Sequence, residues 1–150
     1  MIITLQGNND LTKIYELTRI VKKQMEFLGS KHSLEKIKCA IENALKTNRA
    51  VFFLKLSKDG EIIGFAFGNI CSGLETGADY LWINELYVSP DCRKQGIAGE
   101  IYEYIEKWAK EVKISYIATI TGKTNEISQN FHKKMNYEVS EIIWMDKSLK

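Results

Sequence analysis

One proline, two histidines and three cysteines are all that this 150-residue chain has of each. With Pro90 alone, a polyproline tract or a proline-punctuated linker is excluded. Cys39, Cys71 and Cys92 are odd in number and lack metal-like spacing, and two histidines add too little for a zinc site. Neither a disulfide framework nor a metal centre is expected, and Cys92 reads as a bystander thiol. No apolar run approaches a membrane span, and Met1–Gln6 is too short for a signal-peptide core, so the cytoplasm is the expected compartment. Charge of one sign is also lacking. The formal net charge is +2, with 11 Lys/Arg against 8 Asp/Glu in residues 1–75 and 10 against 11 in residues 76–150. A nucleic-acid binder would carry a basic stripe, so neither nucleic acid nor membrane is an expected partner.

What remains is ordinary for a globular protein, 45% apolar and 27% charged, at a length that suits one domain over residues 1–150. Ile2–Gln6 reads as a strand. Asp10 can cap a helix with Leu11, Ile14, Tyr15, Thr18, Val21, Met25 and Leu28 inward, and Ser33 a second with Leu34, Ile37, Ile41, Ala44 and Leu45 inward. Ala50–Leu56 and Ile62–Ile70 form a hairpin across Lys58-Asp59-Gly60, and Gly64 suggests a bulge or a close approach. A loop over Cys71–Ala78 leads to a third strand, Tyr80–Val88. After a long helix, Tyr116–Ile120 is a strand joined by a crossover and so parallel to Tyr80–Val88. Thr124 or Asn125 caps a short helix with Ile127, Ser128, Phe131 and Met135 inward, Asn136 ends it, and Tyr137–Ser148 supplies the closing strand or strands. The order β-α-α-β-β-β-α-β-α-β describes a mixed α/β (α+β) domain.

The most informative stretch is Leu86–Val112. It leaves a strand, turns through Pro90, Arg93, Lys94, Gln95, Gly96, Ile97, Ala98 and Gly99, and enters a helix with Ile97, Ile101, Ile105 and Trp108 on one stripe. Free N–H groups at such a helix start, reached over small residues, form an anion site. A Walker loop would need a glycine five positions before the Gly122-Lys123-Thr124 triplet, and a dinucleotide fingerprint would need a parallel βαβ unit; neither is present.

Val88 followed by Arg93-x-x-Gly96-x-Ala98 instead resembles the acetyl-CoA-binding signature of the GNAT superfamily of N-acyltransferases. Asn125, Ser128, Phe131, His132, Lys134, Asn136 and Tyr137 are similar to a second motif of that superfamily, and the element order agrees over essentially the whole chain. The resemblance implies a GNAT-type mixed sheet and transfer of an acetyl group from acetyl-CoA to a primary amine by direct attack. It implies backbone contacts from Leu86, Tyr87 and Val88 to the pantetheine arm and acetyl carbonyl. It also implies a pyrophosphate cradle from Lys94, Gln95, Gly96, Ile97, Ala98 and Gly99, with charge from Arg93, and a pantetheine contact from Asn125, which could equally be a plain N-cap. The acceptor is left open between a small-molecule amine and a protein or peptide amine, as is a homodimer.

Two positions depart from the pattern. Where the superfamily places a tyrosine to protonate the leaving thiolate stands His132. Histidine titrates near 6.5 in general and tyrosine near 10, so His132 is either the acid or a residue that packs against the cofactor. No glutamate lies on Tyr116–Ile120, and Glu85 is the expected base, against the reading that it makes only a structural hydrogen bond. Glu75 and Asp79 could attract a cationic amine, and Tyr80, Trp82 and Trp144 could line a cleft. The alternative on the same fold is a non-catalytic acyl-CoA-binding or regulatory module.

Overall fold

A computed structural model describes residues 1–7 and 10–149. In chain order the elements are β1 (Ile2–Leu5), α1 (Leu11–Phe27), α2 (Leu34–Leu45), β2 (Ala50–Leu56), β3 (Ile62–Gly73), β4 (Ala78–Val88), a 3-10 turn (Pro90–Cys92), α3 (Ile97–Glu111), β5 (Ile117–Thr119) and α4 (Glu126–Lys134). The strands form one sheet in the order β1-β2-β3-β4-β5. Every neighbouring pair is antiparallel except β4 and β5, which are parallel, as the helical crossover between them requires. The chain divides into two compact units, Met1–Thr119, which holds the sheet and α1 to α3, and Ile120–Lys150, which holds α4.

In the first unit, Asp10 accepts from the N–H groups of Thr12 and Lys13 and Ser33 from that of Lys36, so both expected caps start their helices. The buried stripe of α1 differs from the expected one. It runs through Ile14, Leu17, Thr18, Ile20 and Gln24, while Leu11, Tyr15 and Leu28 are exposed. Two polar residues tilt it inward. Thr18 is satisfied by its own helix, donating to the Ile14 carbonyl at 2.7 Å, and Gln24 finds its partner on β4. The stripe packs with Ile37, Ile41 and Leu45 of α2 on Phe52, Leu54, Phe65 and Tyr87 of the sheet. Lys55 (β2) pairs with Glu100 (α3), Phe53 (β2) makes edge contacts with Tyr104 and Trp108, and Thr4 (β1) bonds Tyr104 at 3.2 Å, so α3 covers the other sheet face.

The β3–β4 hairpin is longer than the sequence suggests. Cys71, Ser72 and Gly73 pair with Tyr80, Asp79 and Ala78, so residues 74–77 alone make the turn. Gly77 takes a positive φ of 69°, and the Thr76 hydroxyl donates to the Gly73 and Ala78 carbonyls, which closes it. Gly64 combines both expected readings. It follows Ile63, the extra residue of a β2–β3 irregularity, and a Cβ there would meet the Tyr87 carbonyl at 3.1 Å. In the second unit, Asn125 caps α4 by accepting from Ser128 N–H, and Asn136 ends it at φ 62°. Ile127, expected inward, is 86% exposed. The closing strand expected over Tyr137–Ser148 is not formed: residues 137–149 carry neither helix nor strand, and residues 138–149 are exposed. Without a ladder partner among the described residues, the apolar residues Ile142, Ile143, Trp144 and Met145 gain nothing by adopting a strand.

Candidate active site

Strand β4 pairs with β5 only from Leu81 to Ile83 and continues to Val88 along β3 alone. The parity of its open edge follows from one bond. Ser89 N–H donates to the Ile63 carbonyl at 2.9 Å, so the Val88–Gly64 pair flanks that bond and Val88 turns its own N–H and C=O away from β3. Alternation then turns the backbone of Leu86 to the same open edge and that of Tyr87 toward β3. Of the three residues expected to offer backbone groups, Leu86 and Val88 face outward. Tyr87 contributes a ring that is 7% exposed and packs on Phe65.

Beyond Val88 the chain tightens. Cys92 N–H donates to the Ser89 carbonyl and Arg93 N–H to that of Pro90. Lys94 and Gly96 both hold positive φ, 59° and 80°, and the Glu100 N–H makes the first helical bond, to Gly96 C=O at 3.0 Å. The N–H groups of Ile97, Ala98 and Gly99 therefore precede any intrahelical acceptor, and Gly96 caps α3 without a side-chain bond. A Cβ on Gly96 or Gly99 would meet nothing within 4 Å, so bare backbone faces open space there. That arrangement suits a pyrophosphate. Arg93 is aimed elsewhere: its Nε donates to the Val88 carbonyl at 2.9 Å and its guanidinium lies over the Phe27 and Tyr87 rings. It ties the loop to the end of α1 and occupies the Val88 carbonyl, leaving the Val88 N–H as the open group.

A second feature of β4 is a bulge. Phe67 pairs with Glu85 and Gly68 with Ile83, so Asn84 is the extra residue. The bulge brings consecutive polar side chains, Asn84 and Glu85, to the α1 side of the sheet. Asn84 accepts from the Asn69 amide at 2.7 Å, and Glu85 accepts from Gln24 Nε2 at 2.5 Å. Burial pushes the Glu85 carboxyl above its ordinary value, and the Gln24 bond offsets part of that rise. Gln24 is 5% exposed and its Oε1 has no hydrogen-bond partner among the described residues. An unpaired buried acceptor costs about 1–3 kcal/mol. The sequence reading found Glu85 but missed Gln24 and the bulge; the available signal was an amide three and seven residues past Val21 and Leu17 on the stripe of α1. Farther along this face, Tyr80 and Trp82 stand opposite Cys71 and Asn69. Asp79 is paired with Arg49 at 2.9 Å, so it offers less charge to an amine than the sequence suggests, while Glu75 is exposed in the turn.

In the second unit, Asn125 Oδ1 is engaged by Ser128 N–H at 3.1 Å. His132 is 7% exposed and lies edge-on to Phe131 and Tyr137. Its Nδ1 is 2.8 Å from the Ser128 carbonyl, which can only accept, so Nδ1 carries the proton. Trp144 is 65% exposed. Among the described residues no three His, Cys, Asp or Glu side chains could hold a metal, and no helix is long and apolar enough to cross a membrane.

The sequence of residues 14–137 matches the model of the acetyltransferase (GNAT) family. The chain belongs to that family. This GNAT protein is therefore an acetyl-CoA-dependent N-acetyltransferase that moves the acetyl group to an amine, and a non-catalytic module on the same fold is not favoured. It is 26% identical over 103 residues to aminoglycoside N(6')-acetyltransferase type 1 of Salmonella typhimurium strain LT2, covering 67% of this chain and 70% of that protein. The fold is similar to that of a probable acetyltransferase (TM-score 0.88, 18% identity, 100% of this chain and 99% of that one). It is also similar to an aminoglycoside acetyltransferase, meta-AAC0020, from an uncultured soil sample in complex with sisomicin (TM-score 0.83, 18% identity, 100% and 96%).

Proposed function

We propose that this GNAT protein acetylates a small cationic amino sugar of the aminoglycoside class, with Glu85 as the general base. The observation that carries the reading is the position of Glu85: a half-buried carboxylate at the β4 bulge, two residues past the point where β4 leaves β5. Burial lifts its proton affinity toward the range useful for a base. The Asn69–Asn84 amides and Trp82 share its sheet face, groups that suit hydroxyls and the apolar face of a sugar. The relatives named above supply the substrate class. The family match runs from residue 14 to 137, across the boundary at Thr119, which supports treating both units as one acetyltransferase domain.

When bound, acetyl-CoA supplies a thioester carbonyl open to attack by an amine. Glu85 takes a proton from the acceptor ammonium: an N–H bond breaks, an O–H bond forms, and the nitrogen lone pair becomes available. The Val88 and Leu86 N–H groups on the open edge are the donors for the oxyanion that develops. Lys94 to Gly99 hold the pyrophosphate through backbone N–H groups, and Asn125 combines its capping bond with a contact to the pantetheine amides. His132 is the thiol-facing residue. Because Nδ1 already carries a proton, the neutral ring has only a lone pair at Nε2. It could donate from Nε2 only as imidazolium.

Release of CoA thiol in a panel of sisomicin, a linear polyamine and a peptide with a free N-terminus tests the substrate class. Turnover of sisomicin with little of the peptide supports it; preference for the peptide contradicts it. For His132, the His132→Phe variant is expected to lose kcat, and full kcat at all pH values rejects the acid role.

A further inference from the structure

Gln24 stands where the stripe of α1 otherwise carries Ile14, Leu17 and Ile20. A leucine there would bury with no unmet polar atom, yet the chain places an amide and leaves its Oε1 unpaired. The chemistry of the partner fixes the orientation seen. Both carboxylate oxygens are acceptors, so against ionised Glu85 the amide must present Nε2. Once Glu85 holds a proton on Oε1, Oε2 remains an acceptor, so the same donor serves both forms.

We propose that Gln24 is a positioning residue for Glu85, its Nε2 holding the same carboxyl oxygen in the carboxylate and carboxylic-acid forms. The proposal rests on Glu85 being the base. In the resting orientation, Nε2 holds one carboxylate oxygen, Oε2, and leaves Oε1 of Glu85 to meet the acceptor ammonium. The ammonium proton arrives on Oε1, and Oε2, now the carbonyl oxygen of the acid, still accepts from Gln24 Nε2. The amine thus loses its charge to a carboxyl that stays held throughout. An apolar residue could hold neither state, and a cation would favour the ionised form and weaken the base.

The environment permits this reading. From β3 the neighbours of Glu85 are Phe67 and Asn69, from β4 Asn84 and Tyr87, and β5 (Ile117–Thr119) brings no ionisable group. The groups on this face that ionise are Tyr87 with Arg93 over its ring and, farther along, Tyr80 and Cys71, while the buried stripe of α1 carries none; none of them is a cause of the Glu85 shift, which comes from burial first and Gln24 second.

The test is an NMR titration of the full-length enzyme, following the Glu85 side-chain carboxyl carbon (assigned with Glu85→Gln) and the Gln24 side-chain amide. In the wild type the Gln24 amide should titrate together with Glu85. In Gln24→Met, of similar volume but without the donor, the Glu85 pKa should rise by about one unit. Gln24→Asn, one methylene shorter, should raise it by less and covers the case in which the Met variant fails to fold. A Gln24 amide that ignores Glu85 titration, or an unmoved Glu85 pKa in both folded variants, overturns the positioning role. The underlying assignment fails separately: if Glu85→Gln keeps wild-type kcat/KM with sisomicin while the Gln24 effects appear, Gln24 tunes a carboxyl that is not the base.

Discussion

Along β4, Leu86 and Val88 turn backbone groups to an open edge and lead into a loop of bare N–H groups. One residue earlier, Glu85 presents a carboxylate gripped by a side chain from α1. The first region is written in φ angles and missing Cβ atoms, the second in a bulge and a buried amide. A site made of backbone tolerates many side chains but few changes of conformation. A site made of side chains fails on a single atom. Backbone geometry can therefore persist while side chains change, and the fold is shared with another protein at 18% identity.

The sharpest way to break the comparison is Glu85→Gln. It should lower kcat/KM by about 100-fold, as loss of a general base does, with acetyl-CoA affinity within about twofold by calorimetry. A matched loss of donor affinity would mean that the two regions are one. Next is Gly96→Ala. The added Cβ meets nothing, but φ of 80° costs an L-residue about 1–2 kcal/mol, so the acetyl-CoA Kd should rise about tenfold. Lys94→Ala, which removes a side chain and keeps the N–H, should change it about threefold or less.

Stability should move the other way at Glu85. Its folded pKa is raised by burial, so the native state binds the proton more tightly than the unfolded chain does. That contribution is full below the unfolded pKa and is lost as pH rises through the folded value. Glu85→Gln removes the loss, and its Tm at pH 7 should exceed that of the wild type while activity falls. Asn125→Ala should cost about 1 kcal/mol of stability through the Ser128 cap, read by chemical denaturation.

The same contrast governs what could be read before any coordinates. The strand–loop–helix was legible because its signals are local: Pro90, Gly96 and the spacing of Ile97, Ile101 and Ile105. The phase of α1 was not, because Thr18 and Gln24 face inward and Leu11, Tyr15 and Leu28 outward, and only their partners reveal it. Turn-forming residues between Cys71 and Ala78 suggested a loop that cross-strand pairing overrides. Apolar residues between Tyr137 and Ser148 suggested a strand, yet pattern alone supplies no neighbour to pair with. Glu85 was found as an acidic residue on the right strand, but its grip by Gln24 depends on a contact spanning 61 positions.

The most direct measurement is the pH profile of kcat/KM for sisomicin in the wild type and in Glu85→Gln, under matched acetyl-CoA saturation. The account predicts an acid limb in the wild type that lies above the ordinary carboxylate value of 4.5, since burial raises Glu85, and its disappearance in the variant at a much reduced rate. An acid limb that survives in Glu85→Gln at an undiminished rate would contradict it.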